Sequence, residues 1–178
     1  MMDQRLPSQR FGAVLRWGGD RRSRMEFEEF ARAETPRLLG LAYALTGNPH
    51  DAWDLTQEAM VRVGLRWRRL AAQNPGGYAR TVVVRLNIDR ARRRRREVLT
   101  DRSPDRAVPV DVIDELPAWL VEALAELTPQ QRAAVVLRAL EDLDHATIAA
   151  RLGCSTGTAR SHLSRGLARL RERAPEEV

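Results

Sequence analysis

The chain has 178 residues, 43% of them hydrophobic, so its length suits one average domain or, better, two small helical ones. Lys and Arg number 30 against 24 Asp and Glu, and the net charge of +6 favours a polyanionic partner without choosing among DNA, RNA and an anionic membrane. A single Cys154 excludes an intrachain disulfide, no Cys/His cluster has the spacing of a zinc site, and no stretch approaches the ~18–20 apolar residues of a membrane span.

Residues 1–24 are rich in arginine and punctuated by Pro7, Gly12, Gly18 and Gly19, the pattern of a flexible arm. The apolar patch from Phe11 to Trp17 is too short for a secretory core, so the expected location is cytoplasmic, with no membrane insertion. The ordered part is expected to begin near Met25, itself a candidate translation start. From Glu26, the residues Phe27, Phe30, Leu38, Leu41 and Leu45 recur at helical spacing until Gly47-Asn48-Pro49 stops the pattern. Pro36 is expected to kink or divide this helix.

Next, Ala52, Leu55, Ala59 and Val63 share one side of an amphipathic helix ending near Trp67, while Asp51, Asp54 and Glu58 form an acidic strip on another. Asp54, Gln57 and Glu58 are there either a solvated face or a docking surface for a basic partner. Asn74-Pro75-Gly76-Gly77 signals a turn, after which Tyr78, Val82 and Leu86 make an inward stripe. Val82 to Val84 also suit a short strand, but Asn87, Asp89 and the arginines that follow do not alternate, so helix is preferred. Arg90, Arg92, Arg93, Arg94, Arg95 and Arg96 are the densest positive charge in the chain. They are either a solvated helix end or a source of salt-sensitive affinity for phosphates. Asn87, just upstream, carries a donor and an acceptor for a base edge, or equally for a cap or a link between helices.

Residues 97–117 hold Pro104, Pro109 and Pro117 with net acid, and read as a linker. Beyond it, Thr128-Pro129 is a good N-cap and first-turn pair, and Ala133, Val136, Leu137 and Leu140 continue a buried face. A short helix supplies Ile148, Ala149 and Leu152, and after Gly153-Cys154-Ser155 a longer one carries Ala159, Leu163, Leu167 and Leu170. Small Ala149 lets two helices approach and Gly153 can take a positive φ, which together describe a helix-turn-helix. Ser155 or Thr156 can cap the last helix, whose exposed side presents Ser155, Thr158, Arg160, Ser161, Ser164 and Arg165. Such a face combines phosphate contacts from hydroxyls and backbone N–H with bidentate base reading by arginine, or is the solvated side of an ordinary helical hairpin. Gly166 is expected to weaken this helix by roughly 0.5–1 kcal/mol relative to Ala, and Cys154 to be a small buried filler.

Asp54 and Glu58 lie one helical turn apart but lack a third ligand, His50, His145 and His162 are scattered, and there is no phosphate-binding loop. No catalytic residue, metal or cofactor is therefore expected.

The segments DAWDLTQEAMVRVGLRW at 51–67, NPGGYARTVVVRLNIDRARRRRR at 74–96 and LTPQQRAAVVLRALEDLDHATIAARLGCSTGTARSHLSRGLARLRE at 127–172, in that order, resemble the extracytoplasmic-function sigma factors of bacterial RNA polymerase, particularly the actinobacterial SigE-like group. The resemblance runs from about Met25 to Arg173 and implies an all-α protein. It places a region 2-like domain at 25–96 and a region 4-like helix-turn-helix domain at 118–174, joined by the linker. It implies that Asp54, Gln57 and Glu58 dock on core RNA polymerase. Asn87 would line a pocket for an extruded non-template base of the minus-ten element, with Arg85 and the Arg90 to Arg96 run holding the separated backbone. The face from Ser155 to Arg165 would read minus-35 promoter DNA in the major groove, and an anti-sigma factor is a candidate further partner. Two other readings compete. A stand-alone helix-turn-helix regulator would bind duplex promoter DNA without polymerase, and leaves the acidic strip and the arginine run without a joint purpose. A protein-interaction module would bind polymerase or a sigma factor without DNA specificity.

Overall fold

The computed structural model describes residues 21–96 and 116–175, the side chains of Arg95 and Arg96 excepted. Most of the expected arm and linker therefore lies outside the described residues. The first helix, α1, spans Arg21–Thr46, starting four residues before Met25. Ion pairs one turn apart, Arg22 with Glu26 and Arg24 with Glu28, each at 3.0 Å, support that extension. Pro36 does not divide α1. Gly47, at φ 66°, ends it in the left-handed conformation.

Helix α2, Pro49–Leu65, starts on the Asn48 cap, whose side chain accepts from the Asp51 backbone N–H, with Pro49 in the first turn. A single turn, α3 (Trp67–Leu70), leads to α4, Pro75–Arg96, so the valine run is helical. Helices α1, α2 and α4 pack on one another. The rings of Phe27, Phe30 and Trp67 close one end, with Phe27 and Trp67 edge-to-face at 5.3 Å.

The buried face of α4 is rotated from the expected stripe. Tyr78 and Leu86 are only half-buried, whereas Ala79, Val83 and Val84 are fully enclosed. Residues four apart share a helix face, so the row Ala79, Val83 runs on into Asn87, which is 8% exposed.

The second part comprises α5 (Ala118–Ala125), α6 (Pro129–Glu141), α7 (His145–Leu152) and α8 (Thr156–Arg173). Thr128 and Gln131 cap α6 reciprocally: the Gln131 N–H donates to the Thr128 hydroxyl and the Thr128 N–H to the Gln131 side-chain carbonyl. Helix α6 is central and buries Ala134 and Val135 as well as Ala133, Val136 and Leu137, while Leu140 is 52% exposed rather than part of the buried face. Gly153 takes φ 67° between α7 and α8, and Ala149 and Ala159 are buried on either side of that turn. Gly166 is no weak point, because a Cβ there would lie 2.6 Å from Val135 Cγ2 and 3.3 Å from the Gln131 carbonyl. Its missing side chain is what lets α8 cross α6 so closely. Cys154 is half-buried and packs against the core.

The two parts share one continuous apolar cluster, with α5 and α6 against α1 and α6 and α7 against α4. Polar ties reinforce it. Arg132 donates to the Leu45 carbonyl and to the Ala125 carbonyl, each at 2.8 Å, and so caps the C-terminal turns of α1 and α5 together. Burial lowers the Arg132 pKa, and its Nε is enclosed with no hydrogen-bond partner. Arg80 of α4 is shared between Glu34 of α1 and Glu141 of α6, all three side chains less than one-fifth exposed.

Candidate polymerase and nucleic-acid interfaces

The acidic strip and the arginine run, expected as separate surfaces, face each other across one groove of about 510 Å³ between α2 and α4. Asp54, Gln57 and Glu58 line one wall, and Leu86, Arg90 and Arg93 the other. Gln57 and Glu58 are exposed and Asp54 half-buried. Glu58 pairs with Arg62 at 3.0 Å, and Asp54 lies 3.6 Å from His50 Nδ1 and 3.9 Å from Arg90.

Much of the run's charge is engaged within the protein. Arg90 and Arg94 both grip the Asp51 carboxylate at 2.9 Å, tying the far end of α4 to the first turn of α2. The His50, Asp51 and Asp54 donor atoms lie within 4.8 Å of one another, but two guanidiniums already neutralise Asp51, so this set is an ion-pair network rather than a ligand set. Arg92 and Arg93 are exposed, Arg92 lying 3.9 Å from Asp89. The side chains of Arg95 and Arg96 lie outside the described residues. Arg85 is exposed and makes one long hydrogen bond, 3.4 Å, to the Ala150 carbonyl of α7.

Asn87 departs from its expected place. Its side chain belongs to the buried row of α4 and lines neither the α2–α4 groove nor the basic cleft beside Tyr78. A base-edge donor on an exposed surface and a polar residue inside a helix bundle look alike in sequence, and the rotation of α4 turns Asn87 inward, 8% exposed. Aligned in that cleft are instead Arg62, Arg66, Asn74, Tyr78 and Arg85, of which only Arg85 is a candidate binding residue by sequence. The Gly-Gly turn after Asn74 was the available signal.

In the second part, the Ser155 hydroxyl caps α8 by accepting from the Thr158 N–H at 3.1 Å and also bonds the Thr158 hydroxyl at 2.8 Å. Ser155, Thr158, Arg160, Ser164 and Arg165 are exposed and Ser161 half-buried, on the arc opposite the buried Ala159, Leu163 and Gly166. Among the described residues no ion pair engages Arg160 or Arg165. Two short helices, a left-handed glycine and a capped third helix with free arginines form a helix-turn-helix whose reading face is unobstructed.

Models of two protein families match the chain in the same order, Sigma-70 region 2 over residues 30–97 and Sigma-70 region 4 over residues 118–170. The chain is 40% identical to the RNA polymerase sigma-E factor of Streptomyces avermitilis over 151 residues, which cover 83% of this chain and 84% of that one. It belongs to the extracytoplasmic-function sigma factors of the sigma-70 family, in the SigE-like group. A sigma factor directs RNA polymerase to promoters and is not itself an enzyme. The ECF RNA polymerase sigma factor SigE of Mycolicibacterium smegmatis is 38% identical over 172 residues, covering 90% of this chain and 66% of that protein. The sigma factor RpoE of Bartonella quintana, solved in complex with the anti-sigma factor NepR, shares the fold at a TM-score of 0.64 and 23% identity, over 83% of this chain and 95% of that one. The SigJ structure of Mycobacterium tuberculosis matches with a TM-score of 0.60 and 29% identity, over 80% of this chain and 52% of that one. The all-α architecture read from the sequence is thus that of sigma regions 2 and 4. Among the described residues no helix is long and apolar enough to cross a membrane.

Proposed function

We propose that this sigma factor docks on core RNA polymerase through the exposed acids of α2, reads duplex minus-35 DNA with α8, and holds melted minus-ten DNA against the basic surface of α4. The observation that carries the reading is the face of α8: a capped N-terminus beside Arg160 and Arg165, neither paired, on a helix anchored by the buried Ala159 and Leu163. Backbone N–H groups at such a terminus suit a phosphate, and an extended guanidinium suits the edge of guanine. For core docking the exposed residues are Gln57 and Glu58, with Asp54 at the groove's edge. For the minus-ten backbone the accessible cations are Arg85, Arg92 and Arg93, while Arg90 and Arg94 position α4 through Asp51. A base lifted from the stack is better served by the Tyr78 and Asn74 side chains of the basic cleft than by the enclosed Asn87.

The protein works beside polymerase in the cytoplasm, and an anti-sigma factor, such as the one solved with the Bartonella relative, is its natural antagonist. The test is reconstituted transcription with core polymerase on promoters from the same genome. Expected is promoter-specific initiation that needs both proteins, with Arg160→Ala and Arg165→Ala each losing duplex affinity, by about 1–3 kcal/mol for a base-reading arginine. Specific duplex binding without polymerase, and no initiation with it, would instead establish a stand-alone regulator.

A further inference from the structure

The basic cleft has one wall to which promoter recognition assigns no part, Arg151 of α7. Its volume is about 470 Å³, within the range of small-molecule sites, and it is walled by Arg62, Arg66, Asn74, Tyr78 and Arg85 from the first part and by Arg151 of α7 from the second. Among the described residues no carboxylate lines it. Arg62 is paired with Glu58, but the other three guanidiniums are poorly compensated. Arg66 donates to the neutral Tyr78 hydroxyl at 2.7 Å, and Arg85 has the long bond to the Ala150 carbonyl. Arg151 Nη1 is enclosed with no hydrogen-bond partner. Burial lowers the Arg151 pKa against the opposing pull of Glu141, whose carboxylate is already bonded to Arg80. An anion in the cleft compensates the charge of the Arg151 guanidinium that lines it, without reaching the enclosed Nη1.

We propose that this cleft binds a small phosphate-bearing anion, an oligophosphate either free or carried by a nucleoside, which bridges the two parts of the protein. Guanidinium forks match phosphate oxygens in charge and geometry, and several converging on one space suit a ligand with more than one phosphate. The Arg66 guanidinium lies over the Tyr78 ring, 5.8 Å from its centroid, and a base stacks on that ring by displacing it. Because Arg151 joins the wall only while α7 packs on α4, the ligand binds the packed arrangement more tightly and stabilises it by mass action. The ligand and a melted promoter strand also compete for Arg85.

The experiment is calorimetric titration of the full chain with inorganic triphosphate and, separately, with ATP, at physiological salt, alongside small-angle scattering. Expected is one saturable site for triphosphate, a smaller radius of gyration on saturation, and affinity lowered about ten- to a hundredfold by Arg151→Ala and by Arg66→Ala. The charge-matched control Arg37→Ala, on the exposed side of α1, should stay within about twofold of the parent. ATP binding more tightly than triphosphate, with the difference removed by Tyr78→Leu, identifies a nucleotide. Equal affinities identify the oligophosphate itself. The proposal fails if triphosphate shows no saturable binding, if Arg151→Ala binds as well as the parent, or if Arg37→Ala loses as much. It fails equally if a short single-stranded DNA occupies the cleft where triphosphate does not.

Discussion

Glu141→Gln tests whether Arg80 holds the two parts together. In the parent, Arg80 Nε lies 3.0 Å from Glu141 Oε2, with both side chains under one-fifth exposed, and the other edge of the guanidinium bonds Glu34. A hydrogen bond to a charged partner contributes ~1.5–3 kcal/mol, and glutamine retains a neutral acceptor worth about half of that. Removing a negative charge from the last residue of α6 also relieves an unfavourable dipole interaction of about 0.3–1 kcal/mol. The net loss is therefore ~0.5 kcal/mol, about a twofold fall in the ratio of packed to separated forms. Glu34→Gln removes a bond between α1 and α4, both in the first part, so it should lower that part's stability without separating the two. Arg80→Met leaves two largely buried carboxylates without their cation, costing about 3–5 kcal/mol and separating the parts most completely. Small-angle scattering and hydrogen exchange in α7 follow the change, with circular dichroism confirming the helices. The reasoning is refuted if Glu141→Gln and Glu34→Gln change the scattering equally, or if neither Glu141→Gln nor Arg80→Met changes it at all.

Gly166→Ala gains about 1 kcal/mol of helix propensity but forces a Cβ to within 2.6 Å of Val135 Cγ2, an overpacking cost of about 1–3 kcal/mol. Denaturant unfolding should show a net loss, and Val135→Ala in the same chain should recover part of it; a simple gain would mean that α6 and α8 do not cross there. Gly153→Ala meets no atom within 4 Å yet should cost ~1–2 kcal/mol through its φ of 67° alone, and Gly153→Asn should cost less by thermal unfolding. Asn87→Ala empties part of the enclosed row of α4 and should destabilise the protein by ~1 kcal/mol, with promoter opening slowed equally on all templates; a deficit confined to one non-template base would restore base capture to this residue. The Asp144 carboxyl is held below its usual pKa by its bond to Thr147, so its stabilising contribution is present above the ordinary carboxylate range and is lost as pH falls through the depressed value. Asp144→Asn keeps the cap acceptor and should flatten that part of the acid dependence of the melting temperature.

The helices and their caps were legible because their causes are local. Thr128 and Ser155 each precede a helix by one residue, and in each case the side chain bonds the backbone three residues on. The left-handed turn at Gly153 and the exposed arc of α8 follow equally from neighbours within two turns. What was not legible depends on which way a helix is turned in the bundle. Tyr78, Val82 and Leu86 satisfy a helical stripe as well as Ala79 and Val83 do, and only contact with α1 and α2 decides between them. One residue of rotation carries Asn87 from the surface to the interior, where it is 8% exposed. Gly166 shows the same limit from the other side: in an isolated helix it is a weakness, and against Val135 it is the condition for packing.

Charge was the least legible property of all, because a run of arginines has no fixed meaning until its partners are placed. Arg90 and Arg94 belong to the same basic segment as Arg92 and Arg93, yet the first pair reaches 39 and 43 residues back to Asp51. Arg80 reaches 46 residues back to Glu34. An arginine gripping a carboxylate inside the protein adds little to counterion release on DNA, so promoter affinity should depend on salt less steeply than the length of the run suggests. The cations that remain to meet phosphate are those facing solvent or the cleft, and they come from both parts of the chain. Arg85 stands on both sides of that division, exposed to DNA and bonded to the Ala150 carbonyl across the two parts, so for this residue contact with DNA and packing between the parts compete.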